Sequence, residues 1–214
     1  MLNPKHWLPF LVMLLVACTQ ATAEPVAGKD YQVIDPPIPT GTPNKIEVIE
    51  FFYYGCPHCY QLEPYLQGWL KQAPKDVEFR AQPAVFRESW IPLTKAYYAL
   101  EATGDLGKLH EKVFAALHDQ NVPINTDEAL FAWVEKQGVN RDKFVEAYKS
   151  FGVQGKTQRA VQMTKEYRVA GTPSMVVDGR YITSGGMTGS HESMLKVVDY
   201  LVAKARNSKT GARG

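Results

Sequence analysis

Ile46-Glu47-Val48-Ile49-Glu50-Phe51-Phe52, then Tyr53-Tyr54, then Gly55-Cys56-Pro57-His58-Cys59-Tyr60 is the stretch on which the reading of this chain turns. The first seven residues form a short, β-branched and aromatic run, nearly continuous in its apolar character, as a buried strand requires. Behind the cysteines, Leu62, Leu66, Trp69 and Leu70 share one face of a helix. Cys56 therefore stands where a strand ends and a helix begins. Unpaired amide donors and about half a positive charge at a helix N-terminus favour an anion there, and a thiolate is one. Pro57 suits the first helical turn, where its missing N–H costs nothing. His58 can add a positive or hydrogen-bonding influence on the same sulfur. The thiolate is the species that attacks disulfides, and Cys59, one turn on, faces the same side and can close a disulfide with Cys56.

Two cysteines three apart also form half of many zinc sites, but such sites usually draw four ligands from paired motifs. The only other cysteine is Cys18. His58 would make a third ligand only with awkward geometry. Redox chemistry is the expectation, and neither metal nor cofactor is expected.

The chain opens with Lys5 and then runs from Trp7 to Ala17 without a charge, 11 residues in all. That is too short to span a bilayer and reads as a signal peptide. Ala21-Thr22-Ala23 is a small-x-small site that favours a mature chain from Glu24. Leu15-Val16-Ala17-Cys18 resembles a bacterial lipobox, which would instead leave a lipid tether on Cys18. Either ending exports the domain to a compartment where cysteine pairs persist, the periplasm in a bacterium. From Glu24 onward 23 Lys+Arg stand against 22 Asp+Glu, with no basic block, so nothing points to nucleic acid.

Tyr31 to Ile34 is a short strand candidate, followed by a proline-rich extended connection. Residues 76–85 look like a second main strand, parallel to the first through a right-handed crossover. The period then changes. Helices are expected over 90–102, 106–117, 129–137, 142–151 and 154–167, the third opened by an Asn125-to-Glu128 capping box. Strand signals return at Ser174 to Val177 and Arg180 to Thr183, joined through Asp178-Gly179, a favoured hairpin turn. Gly185-Gly186 breaks the chain, Ser190 caps a last amphipathic helix, and the polar end from 206 is expected to fray.

Strand, Cys56-Pro57-His58-Cys59 at a helix start, helical insertion, Thr172-Pro173, hairpin and closing helix together resemble the thioredoxin fold. The version with a helical insertion and this tetrapeptide resembles the DsbA family of periplasmic thiol:disulfide oxidases, from about residue 28 to 203. The resemblance implies an α/β thioredoxin domain in two parts, 24–88 and 160–205, around a helical insertion at 89–159. It implies that Cys56 is attacked and released in exchange, that Cys59 resolves the mixed disulfide, and that Pro57 and His58 tune the couple. Thr172-Pro173 would be a cis-proline loop offering backbone groups to an extended substrate. Glu50 would be a buried acid able to relay a proton for Cys59. Independently, Glu47 and Glu50 point to opposite faces of a strand, so helices on both faces would bury at least one. One departure stands out: Thr172 occupies a place where several family members carry valine.

The implied partners are reduced, unfolded exported proteins and a membrane reoxidant of the DsbB type, and nothing demands more than a monomer. A disulfide isomerase or reductase on the same fold, and a peptide-binding holdase with a merely structural disulfide, are the competing readings. His110, His118 and His191 read as surface histidines. Phe51, Phe52, Tyr53, Tyr54 and Tyr60 read mostly as core, with those nearest the cysteines lining an apolar groove.

Overall fold

The computed structural model describes residues 24–42 and 44–211; the expected leader with Cys18, and Pro43, lie outside them. In chain order the elements are β1 (Gln32–Val33), β2 (Ile46–Phe52), α1 (Pro57–Leu70), β3 (Val77–Pro83), a 3-10 turn (Glu88–Trp90), α2 (Ile91–Thr103), α3 (Leu106–His118), α4 (Asp127–Lys136), α5 (Arg141–Lys149), α6 (Phe151–Glu166), β4 (Ser174–Val177), β5 (Tyr181–Ser184), α7 (Gly185–Thr188) and α8 (His191–Gly211). The sheet order is β1-β5-β4-β2-β3, with β2 parallel to β3 and antiparallel to β4. This is the α/β thioredoxin arrangement with a helical insertion.

β2 is central, and all seven of its residues are buried, as a strand covered on both faces should be. Ile46 and Val48 pack with Leu62, Leu66, Val198 and Leu201 of α1 and α8. Ile49 and Phe51 join a second core with Leu100, Phe114 and Tyr167 from the inserted helices and the α6 end. The same alternation carries the two acids. Both are buried, Glu47 at 4% and Glu50 at 0% exposure, so neither reaches water from a strand end.

The helix starts follow side-chain capping. Thr126, not Asn125, is the cap of α4, its hydroxyl accepting from the Ala129 amide, while Asp127 and Glu128 occupy the favourable first turn. Ser150 both ends α5 and caps α6. Because α6 runs unbroken from Phe151 to Glu166, the boundary expected at 159 falls inside a helix that belongs to both parts. In the hairpin, Asp178 and Gly179 both have positive φ, and a Cβ on Gly179 would lie 1.9 Å from the Ile38 carbonyl oxygen. The Ile38 amide donates to Gly179 O at 2.9 Å, so this glycine seats the proline-rich connection on the sheet.

Gly185-Gly186 ends β5, as expected, and opens α7, a single helical turn packed beside α8. One local expectation is corrected. The end does not fray from 206: α8 continues to Gly211 because Arg206 pairs with Asp76 and Lys209 Nζ reaches Asp178 Oδ1 at 2.6 Å. That contact is a charge pairing without hydrogen-bond alignment.

Candidate active site

Cys56 is the N-cap of α1 and Pro57 its first residue, as the local sequence demands. The Cys56 thiol is held down at about 5. The largest cause is hydrogen bonding from the Cys59 thiol, opposed by partial burial and aided by the Thr172 side chain and the amides of Cys59 and His58. Cys59 is fully buried, and burial followed by the neighbouring Cys56 and Glu50 pushes its thiol well up. Both are free cysteines in this structure. One motif thus yields an accessible thiolate and a shielded thiol one turn apart.

His58 contributes through its amide. Its ring is exposed and turned to the Gln61 side chain, Nδ1 to Oε1 3.2 Å. The Thr172–Pro173 bond is cis, and the Cys56 sulfur lies 3.3 Å from the Thr172 carbonyl oxygen, to which it donates only in its protonated form. Glu50 lies beneath, its carboxyl held well above the usual range by burial and then by Glu63 and Cys56. The structure therefore gathers Cys56, Pro57, His58, Cys59, Glu50, Thr172 and Pro173 at one place, where β2 ends and α1 begins.

A 680 Å³ groove runs past this point, lined by His58, Gln61, Tyr65, Thr172, Pro173 and His191 among others. Its aromatic wall is Tyr65, not the cluster expected from the sequence. Phe51, Phe52 and Tyr54 are core, and Tyr60 stacks on His118. Tyr53 stacks flat on Trp90, centroids 3.8 Å apart. The histidines are likewise more than surface groups. His110 Nδ1 meets the Tyr54 hydroxyl at 2.8 Å, His118 Nε2 meets the Tyr54 carbonyl at 2.8 Å, and His191 lines the groove. Sequence reasoning missed Glu63 as well, although it sits four residues after Cys59 and so on the same helix face. No cluster of three or more metal-ligating side chains occurs among the described residues.

Residues 47–194 match the family model of the DSBA-like thioredoxin domain. The chain belongs to the DsbA family. The thiol:disulfide interchange protein DsbA of Bordetella parapertussis is 41% identical over 194 residues, 90% of each chain. Its counterpart in Burkholderia cepacia is 38% identical over 188 residues, 87% of this chain and 89% of that one. The crystal structure of Pseudomonas aeruginosa DsbA superposes with a TM-score of 0.83 at 37% identity, covering 86% of this chain and 96% of that one. DsbA membership agrees with the geometry: strand, Cys-Pro-His-Cys, helical insertion and cis-proline loop all occupy the places the sequence implied.

Proposed function

We propose that this protein is a thiol:disulfide oxidase that donates a Cys56–Cys59 disulfide to reduced proteins outside the cytoplasm. The observation that carries the reading is the divergence of the two thiols, Cys56 held at about 5 and Cys59 pushed up. A substrate thiolate attacks Cys56 Sγ, the Cys56–Cys59 bond breaks, and Cys59 leaves. The buried Cys59 thiolate takes a proton, for which the protonated Glu50 carboxyl is the nearby source. A second substrate thiolate then attacks the substrate sulfur of the mixed disulfide and displaces Cys56, whose stability as a thiolate makes it a good leaving group. The substrate loses two electrons and the enzyme gains them as a dithiol. An extended substrate segment would lie in the groove beside Thr172 and Pro173.

The direction of transfer follows from linkage. A thiol at 5 is ionised at pH 7 while one at 9.0 is not, so the dithiol form gains the free energy of that ionisation. Two pH units correspond to about 2.7 kcal/mol, and allowing for solvent screening at a partly open sulfur leaves roughly half. That is ~30 mV toward a stronger oxidant from this sulfur alone. Restoring the disulfide requires an external acceptor, for which a membrane reoxidant of the DsbB type is proposed, with the protein acting as a monomer.

Equilibration with glutathione buffers tests the reading. A potential well above that of the glutathione pool supports a disulfide donor. One near or below thioredoxin's makes the protein a reductase or isomerase. No exchange, with peptide binding unchanged in Cys56→Ser, makes it a binding module.

A further inference from the structure

Below the cysteines, between α1, the β2–β3 pair and the inserted helix α3, lies a separate cavity of 390 Å³. Glu50, Glu63, Phe79, Tyr97 and His110 line it. The carboxylate oxygens of Glu50 and Glu63 are buried and have no hydrogen-bond partner. The groups become more open outward: Cys59 and Glu50 at 0% exposure, Glu63 at 5%, and the His110 side chain at 18%. His110 Nε2 lies 3.5 Å from Glu63 Oε1, close enough for a small rotation to form a hydrogen bond. Its Nδ1 is held by the Tyr54 hydroxyl, and the rings of Phe52, Tyr97 and Phe114 meet it edge-on, so the imidazole is fixed in orientation. With Nδ1–H donating to the Tyr54 hydroxyl oxygen, neutral His110 leaves Nε2 unprotonated, so the atom that faces Glu63 and the cavity is the one that takes up a proton and passes it on.

We propose that His110, supplied by the helical insertion, passes protons between solvent and the Glu50–Glu63 pair that serves the Cys59 thiol. The inference rests on the exchange reading above. When Cys59 leaves as a thiolate it takes a proton from Glu50. Glu50 regains one through the cavity from Glu63, Glu63 from imidazolium at His110, and His110 from solvent. One proton moves from water to Cys59, and no electrons move beyond those of the exchange. The ionisable groups facing His110 are Glu50 from β2, Tyr54 from the loop, Glu63 from α1, Tyr97 from α2, and Glu111 on α3 itself. His110 is a positioning residue in this scheme, acting through Glu63 and not on the sulfurs.

The test is a single-turnover reaction of the oxidised protein with a dithiol peptide at pH 7. His110→Gln should slow it about a hundredfold, the low end of what a placed proton carrier contributes. Imidazole in the buffer should restore the rate, while the equilibrium with glutathione stays at the wild-type value. Glu63→Gln should be equally slow but not rescued, and it carries the test should His110→Gln fail to fold. Wild-type rates in the variants overturn the proposal, as does a slow His110→Gln that imidazole leaves slow and whose glutathione equilibrium has moved, the mark of a purely structural role. Absence of any exchange by the wild-type protein overturns the exchange reading itself, and the proposal with it.

Discussion

The Cys56 sulfur and the Thr172 carbonyl oxygen, 116 residues apart in the chain, lie 3.3 Å from each other. One comes from the start of α1 and the other from the loop before β4. Antiparallel pairing of β2 with β4, Phe51 against Ser174, brings those two segments to the same end of the sheet. The sulfur is thereby handed to a loop whose side chain helps to set its charge.

Thr172→Val tests that influence. Losing a hydrogen bond to the thiolate should raise the Cys56 thiol by about one unit and make the couple ~30 mV less oxidising. Thiolate absorbance against pH and glutathione equilibrium measure the two quantities independently, and an unchanged titration would show that the side chain is only a spacer.

The reduced protein should be more stable than the oxidised one, with a defined pH dependence. The Cys56 thiol is lowered in the folded dithiol, so its contribution is full above the unperturbed value of 9.0 and disappears as pH falls through about 5. At pH 7 the gap from this sulfur should be about 1.4 kcal/mol after screening. Paired melts of the two redox forms at pH 7 and pH 4 check it; a gap that widens in acid would contradict the assignment.

Glu50 has the opposite sign. Its carboxyl is raised by burial, so the folded state is penalised as pH rises above the ordinary value of 4.5. Glu50→Gln should therefore stabilise the protein by roughly 2 kcal/mol at pH 7.5 and leave it near wild type at pH 4.5. Urea titrations at the two pH values read the difference, and equal effects at both would mean that the acid is not held neutral.

Gly179→Ala should be costly even though the residue is in a turn. The new Cβ would meet the Ile38 carbonyl oxygen, and φ of +63° is itself unfavourable for alanine. A loss of about 3 kcal/mol is expected from the clash and the backbone together. A denaturant midpoint like that of the native protein would show that the connection can move aside.

Local chemistry was sufficient for the parts that depend on neighbours along the chain. The buried strand, Cys56 at a helix start, Pro57 at its first position and the Asp178-Gly179 turn all follow from side-chain branching, ring constraint and positive φ. The opposite facing of Glu47 and Glu50 follows from the two-residue period of a strand. The capping box expected from Asn125 to Glu128 does not form: Thr126 is the cap and Ala129 stands three residues on, because only backbone direction decides which oxygen reaches the free amides.

The rest belongs to packing. Periodicity can place His110 and His118 on a helix, but only the docking of α3 against α1 turns them onto Tyr54. Composition makes the chain from 206 look like a loose tail, and only Asp76 and Asp178, brought in by the sheet, hold it as helix. The groove takes its wall from Tyr65 and His191 because α1 and α8 lie side by side, a contact that no local window contains. A covalent neighbour fixes conformation, whereas burial and charge depend on what arrives through space. For that reason the motif was legible residue by residue, while the cavity that joins Glu50, Glu63 and His110 became visible only once the chain had folded around it.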